Sequence, residues 1–445
     1  MQFPQFSQFR HFLILFFPLL FTQVAQIGTS VFSSIFSGQA GTVDLAGVAV
    51  AVNIWVPIFA GVCGLFFGVS PIISQLRGAR KDSRIPMYIA QSLYIAVFFT
   101  VVAIALGSLV LPPFLDFMGL EPAVRYIAGE YLFALALGIL PMFLMATMRY
   151  VVDAHGMTHI SMAIIVFHMV VTVLLFRLLI FGGLGIAPMG GIGTGYALTI
   201  ASWIAFFIFA AVFQWKEPFR SYAIWTKPRP VSWAHCYHQL QLGVPIFIAV
   251  FCETSLFSIV GLLMAEFGTL YLAANQAAIS YATLTYTIPW SVSLTATIVI
   301  GYEVGAKNFA GARQYALLCQ MTAFAVATVT VTATYLFLDP ISSLFTHDAE
   351  TFAAIRKFLV YAMAFVFLDA AGTPVQGILR GYKDVKVITY IAFVTYWLIS
   401  IPLGYACAHL TPYGPYGYWL CFVISLIINS SALNYRLWRH TAFQH

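Results

Sequence analysis

The chain has 445 residues, of which 61% are hydrophobic and only 8% charged, with a mean hydropathy of +0.90. A soluble domain carries about 25% charged residues, whereas here there are 21 Lys and Arg and 15 Asp and Glu. The deficit excludes a soluble globular protein, a disordered chain and a nucleic-acid binder; the net charge of +6 falls in loops and is no polyanion footprint. What remains is an integral membrane protein with the lipid bilayer as its first partner, in which each charge inside a span needs a reason.

Spans of about 20 apolar residues, the length a bilayer demands, run near 11–37, 44–75, 86–113, 123–150, 157–183 and 189–213. A second set runs near 238–266, 270–302, 311–338, 351–379, 386–409 and 416–437. The first stretch is too long for a signal-peptide core and has many similar successors, so it reads as a retained helix. Twelve spans put both termini on one side. Arg10, Arg77, Arg80, Lys81, Arg84, Arg149, Lys216, Arg220, Lys227, Arg229, Lys307, Arg313, Arg380, Lys383, Lys386, Arg436 and Arg439, 17 of the 21 basic residues, gather on that side. The positive-inside rule makes it cytoplasmic, in the plasma membrane. The opposite loops carry Asp44, Asp116, Glu121, Glu266, Asp339, Asp348 and Glu350. The six cysteines lie mostly inside apolar runs with no CxxC spacing and read as small buried hydrophobes.

The two sets of spans are related by a constant shift of 227 residues. Pro18 maps to Pro245, Gly41-Thr42 to Gly268-Thr269, Gly78-Ala79-Arg80 to Gly305-Ala306-Lys307, Pro113 to Pro340, Pro188 to Pro415 and Gly190 to Gly417. The expected fold is an all-α membrane protein of twelve transmembrane helices in two parallel six-helix repeats, related by a pseudo-twofold along the membrane normal. Residues 1–213 form the N-terminal lobe, 238–445 the C-terminal lobe, and the polar stretch 214–237 the cytoplasmic linker and hinge. Parallel repeats are a transporter architecture, with the substrate site between the halves.

Two carboxylates resist a topological reading. Glu253 lies 13 residues beyond Leu240, and Asp369 lies 11 residues before Arg380. At 1.5 Å per residue their depths are about 20 and 16 Å, both near the mid-plane. Two acids at one depth can share a cation or hold a proton between them. Glu253 maps onto Gln26 and Asp369 onto Met142, so the fold itself does not ask for acids there. Span eight offers Asn275, Gln276, Ser280, Thr283, Thr285 and Tyr286 before Pro289, with Gln276 and Ser280 on one face. Tyr286 and Phe257 present aromatic faces to an organic cation; lone polar residues elsewhere serve as interhelical glue. Asp44 and Asp348, at the starts of spans, read as helix N-caps. His168 and Arg177 in span five, and Glu130 and Glu303 at or near span ends, need no site. The glycines from Gly182 to Gly195 follow no strand and form a turn, not a dinucleotide loop.

This pattern resembles the multidrug and toxic compound extrusion (MATE) transporters of the NorM type. The resemblance rests on Val43-Asp44-Leu45-Ala46-Gly47-Val48, Asn53-Ile54-Trp55-Val56-Pro57 and Pro71-Ile72-Ile73-Ser74-Gln75-Leu76-Arg77-Gly78. In the second half it rests on Phe251-Cys252-Glu253-Thr254-Ser255-Leu256-Phe257, Ala273-Ala274-Asn275-Gln276 and, most specifically, Leu379-Arg380-Gly381-Tyr382-Lys383-Asp384. It implies a monomeric antiporter that expels cationic, lipophilic drugs and dyes against inflow of Na⁺ or H⁺. It implies further that Glu253 and Asp369 form the cation site with Tyr286 near it, and that Phe257, Gln276, Ser280, Asn53 and Asp348 touch drug, Asn275 being a neighbouring candidate. Two departures stand out. Ser33 occupies the place of the family's usual span-one Asp, and Thr172 to Arg177 replace its asparagine-rich span five. The joint loss points to coupling through the C-terminal half alone.

The runner-up is a lipid-linked saccharide flippase of a related superfamily, which would want a basic central cavity. A major-facilitator symporter is less fitting, since the Gln75–Arg84 loop matches that family's basic motif only loosely. An intramembrane aspartyl protease would need GxGD at its second acid, and Asp369 is followed by Ala-Ala-Gly-Thr-Pro. No enzyme activity and no cofactor beyond the coupling ion is expected. Two carboxylates with a few neutral oxygens suit Na⁺, and a protonatable pair serves H⁺ equally.

Overall fold

The computed structural model describes residues 6–183, 185–346 and 348–442. Its helices in chain order are α1 (Phe6–Ala40), α2 (Thr42–Phe67), α3 (Val69–Gly78), α4 (Ile85–Phe117), α5 (Pro122–Ala136), α6 (Ile139–Ala154), α7 (Thr158–Phe181) and α8 (Ile192–Trp215). After the short α9 (Phe219–Tyr222) come α10 (Trp233–Met264), α11 (Thr269–Gly305), α12 (Phe309–Leu336), α13 (Leu338–Ser343) and α14 (Ala349–Gly381). The penultimate span begins as α15 (Val385–Ala392), passes through a π-helical stretch at Phe393–Ser400 and continues as α16 (Ile401–Leu410); the last is α17 (Tyr416–Ala442). Among the described residues, 11 helical segments are long and apolar enough to cross a membrane, and twelve if the bent pair α5–α6 counts as one.

That pair is where the structure departs from a straight fourth span. The two helices meet at 53°. Thr199 of α8 donates its hydroxyl to the Ala134 carbonyl at 2.7 Å, taking that oxygen out of the helical ladder. Gly138 follows, where a Cβ would run into Thr199. A side chain inserted into the i→i−4 ladder is a recognised cause of a kink.

The repeat is written in the helix ends. Arg80 (φ 54°) and Lys307 (φ 59°) both occupy the left-handed region, as do Gly156 (φ 75°) and Lys383 (φ 64°). Members of each pair stand 227 residues apart. At all four, the residue after the left-handed one donates its N–H back across the turn: Lys81 to Leu76, Asn308 to Glu303, Met157 to Val152 and Asp384 to Leu379. This is the Schellman closure, normally a glycine position because a side chain there is disfavoured. Three of the four positions nonetheless carry Arg or Lys, where a cation also complements the helix C-terminus.

Compactness divides the chain into two units, residues 17–244 and residues 245–445 together with 1–16. The boundaries fall inside α1 and α10, next to the aligned Pro18 and Pro245. Each of these helices therefore starts in one unit and ends in the other.

In the unit spanning 17–244, Asp44 does not cap its own helix. Its Oδ1 accepts the N–H of Gly191 at the start of α8, beneath Gly190 (φ 57°), where a Cβ would meet that carboxylate. The stretch after α8 is also fixed. Phe219 is fully buried against Phe213 and the ring of His155, the Tyr222 hydroxyl meets His155 Nε2 at 3.0 Å, and Gln91 of α4 holds Pro230 and Ser232 at 3.0 Å each. His155 Nδ1 lies 2.7 Å from the Val151 carbonyl, so Nδ1 carries the proton and Nε2 accepts from Tyr222.

In the other unit α11 is the central helix, with 78% of its apolar window buried, and α14 packs along it. Their backbones touch at Gly377, where a Cβ would overlap the Ser293 carbonyl, and Thr297 donates to the Gly377 carbonyl at 3.0 Å. Small residues at such crossings let membrane helices approach closely. The hydroxyls of α11 are partly consumed internally: Ser280 and Thr285, singled out in sequence, and also Ser291 and Thr295, each donate to a carbonyl one turn back.

Two measurements check these packings. Gly377→Leu should lower the detergent-solubilised thermal midpoint and deplete the monodisperse elution peak, since overpacking a close crossing costs about 1–3 kcal/mol or more. Burial pushes the His155 pKa from 6.5 down to about 4. The unfolded chain therefore binds the extra proton between those values, and stability falls as pH drops from about 6.5 to about 4. His155→Phe should flatten that part of the thermal midpoint's pH profile.

Candidate functional site

The two mid-plane acids lie in the same unit, Glu253 on α10 and Asp369 on α14. Asp369 is 3% exposed; its Oδ1 accepts from the Thr373 hydroxyl at 2.7 Å, one turn along the same helix. Its Oδ2 is buried with no hydrogen-bond donor among the described groups. Glu253 is close enough for the two carboxylates to act on each other electrostatically. Tyr286 of α11 lies beside Glu253 and feels both acids. The structure thus brings Glu253, Asp369 and Tyr286 together.

It also adds residues that sequence reasoning missed. Tyr396, 3% exposed in the π-helical stretch, stands in the field of both carboxylates. A π-turn displaces the residues after it relative to an α-helix and recurs at functional sites. Its neighbours anchor the stretch: Trp397 donates to the Ser255 hydroxyl at 3.2 Å, and Thr395 accepts from Asn429 at 3.0 Å. Nothing in the sequence distinguishes Tyr396 from the other tyrosines.

Arg380, counted above as a loop cation, is 1% exposed. Its guanidinium lies 5.1 Å from the centre of the Trp290 ring and donates to Gln376 Oε1 at 3.0 Å. Trp290 stacks on Tyr286 with centroids 5.9 Å apart. Glu253 therefore sits at one end of a series running through Tyr286 and Trp290 to a buried positive charge, which also acts on it directly. Of the two acids, it is Glu253 on which the Arg380 charge acts.

The remaining candidates are spread wider. Phe257 is half-buried, packed edge-on to Phe365 and Phe422 at 5.5 Å each. Gln276 and Ser280 are exposed on one face of α11. Asn275 points inward, its Oδ1 accepting from Trp419 at 2.8 Å. Asp348 is exposed and caps α14, accepting from the Thr351 N–H at 2.9 Å and hydroxyl at 2.7 Å, bonds that hold its carboxyl below the usual range. Asn53 is exposed on α2 in the other unit.

That other unit has no counterpart of the acid pair at the aligned positions. Ser33 is buried in α1, and around it Phe36 meets Phe176 and Phe181 with centroids 6.2 and 6.0 Å apart. Its buried acid is Asp153, 3.7 Å from Arg149, with side chains 4% and 8% exposed. The two residues map by the repeat onto Arg380 and Gln376, so both halves bury an arginine with a polar partner one turn away, in opposite order. The i,i+4 spacing of Arg149 and Asp153 is a signal the sequence offered. Among the described residues no group of three or more His, Cys, Asp or Glu could hold a metal ion. The donor set, two carboxylates with hydroxyls, fits a monovalent cation or a proton.

Comparison with known proteins agrees with this layout. The MatE family model matches twice, over residues 18–179 and 245–406, at the same 227-residue offset. The probable multidrug resistance protein NorM of Halalkalibacterium halodurans is 40% identical over 426 residues, covering 96% of this chain and 93% of its own. A crystal structure of MATE in complex with MaL6 superposes with a TM-score of 0.88 at 18% identity, covering 98% of this chain and 96% of that one. A MOP superfamily transporter from Pyrococcus furiosus, described as having reverse polarity of its binding pocket, superposes with a TM-score of 0.86 at 18% identity over 98% of this chain and 96% of that one. At such identities the likeness speaks for fold only, and pocket chemistry has to be read from the residues present. With its family model matched in both halves and a 40% identical relative along nearly its whole length, the chain belongs to the MatE family.

Proposed function

We propose that the protein exports small lipophilic organic cations in exchange for Na⁺ or H⁺, with Glu253 and Asp369 as the coupling site. The observation that carries this reading is the pair itself, with a buried Asp369 oxygen that lacks a donor beside a second carboxylate. Two like charges in a low-dielectric interior repel, and a bound cation or proton relieves that repulsion. A small ion and a bulky organic cation competing for one pair exclude each other, and reciprocal exclusion is the thermodynamic content of exchange. Each shifts the conformational equilibrium only by its differential affinity for the two states. Tyr286 and Tyr396 supply hydroxyl ligands, and Phe257, Gln276, Ser280, Asn275, Asn53 and Asp348 are the proposed cargo contacts. The name of the halophile relative supports multidrug cargo.

A lipid-linked saccharide flippase fits less well. The buried arginines described here are engaged, Arg149 with Asp153 and Arg380 beneath Trp290 and beside Gln376. We further propose a monomer in the plasma membrane, with the basic loops and both termini in the cytoplasm.

Efflux of ethidium from proteoliposomes tests the coupling. Glu253→Gln and Asp369→Asn should each lower driven efflux at least about tenfold, a loss of one hydrogen-bonded charged partner being worth about 1.5–3 kcal/mol. Ser33→Ala should stay within about twofold of the parent on the same scale. Wild-type rates from Glu253→Gln, with the protein monodisperse, would overturn the assignment. A Na⁺ gradient at zero pH gradient, compared with the reverse, identifies the ion. For topology, an epitope tag at either terminus should react with antibody only after intact cells are permeabilised; labelling of intact cells would invert the orientation.

A further inference from the structure

Of the basic residues outside the basic side, Arg125 pairs with Asp116 at 2.6 Å and Arg356 with Asp339 at 2.8 Å. Lys357, next to Arg356 and exposed, makes no ion pair among the described residues. Its ammonium nitrogen lies instead 4.0 Å from the centre of the Tyr416 ring. Tyr416 is the meeting point of an aromatic cluster drawn from three helices. Tyr271 of α11 stands edge-on to it at 5.9 Å, Tyr361 of α14 stacks at 6.3 Å, and Phe358, fully buried, closes the floor at 4.6 Å. All three tyrosines are half-buried, so their rings are reachable from outside while the floor is dry. Tyr361 precedes Asp369 by eight residues on α14, about 12 Å along the helix axis, away from the basic side.

An electron-rich ring face under a cationic group, backed by further aromatic rings, is an arrangement that recognises ammonium ligands. Here the resident cation is tethered. We propose that the Tyr271, Tyr361 and Tyr416 cluster is a second binding site for lipophilic organic cations, on the release side of the carboxylate pair, and that Lys357 is a built-in competitor that keeps its affinity low. An incoming cation must displace the ammonium and then face its charge, so cargo arriving from the acids is held weakly and let go. For the class of cargo this rests on the export reading above; the cage itself can be measured apart from it.

The probe is tetraphenylphosphonium, bound to the purified full-length chain by equilibrium dialysis. A Glu253→Gln, Asp369→Asn background removes the central acids, so that failure of coupling and failure of the cage give separate results. In that background Lys357→Met should tighten binding about five- to tenfold, and Lys357→Arg should not. Adding Tyr416→Leu to Lys357→Met should abolish the gain, and adding Tyr416→Trp, which keeps a large aromatic face, should retain or increase it. Unchanged or weaker binding in Lys357→Met, or a gain that survives Tyr416→Leu, would overturn the proposal whatever the efflux assays show.

Discussion

An ionised carboxylate inside a bundle surrounded by lipid has little water to solvate it, and its field is weakly screened. Such a group must be balanced by a fixed partner or by something that comes and goes. The two units meet this constraint differently. In one, Asp153 has Arg149 beside it on the same helix, and the charge is answered from within. In the other, Glu253 and Asp369 outnumber Arg380, which is drawn aside over Trp290 and toward Gln376. One half of the duplicated scaffold thus keeps two buried acids near one arginine, and the other an acid and an arginine on one helix.

The surrounding packing keeps that imbalance in place. The close backbone crossing at Gly377 holds α11, which carries Tyr286, against α14, which carries Asp369. Asn275, Trp419, Phe365 and Phe422 form a buried layer from α11, α14 and α17. The π-helical stretch, tied by Trp397 to Ser255 and by Thr395 to Asn429, brings Tyr396 to the same place from another helix.

Much of this was legible in the sequence because membrane constraints are severe. Apolar length gave the spans, and the constant offset reappears as paired left-handed helix ends at Arg80 and Lys307 and at Gly156 and Lys383. Depth arithmetic singled out Glu253 and Asp369. What escaped depends on where helices touch. Arg380 looks like any cation at a span end, yet its guanidinium folds back into the bundle. Tyr396 sits in a run of apolar and aromatic residues in which nothing marks a π-turn. The polar residues of span eight overstated their availability, since Ser280 and Thr285 donate to carbonyls on their own helix. Asp44 caps a helix that begins 147 residues later, a partner no local rule would choose.

The placement of the unit boundaries inside α1 and α10 has a consequence for the autonomy of the two repeats. A cut at the duplication point, after residue 227, would divide both units. The first would lack residues 228–244, which belong to the unit built from 17–244, and the second would lack the opening segment of α1 that completes the unit built from 245–445. The unit boundaries therefore fall about a third of the way along α1 and α10, and not at the ends of the sequence repeats. Each unit takes its first or last stretch of chain from the other repeat.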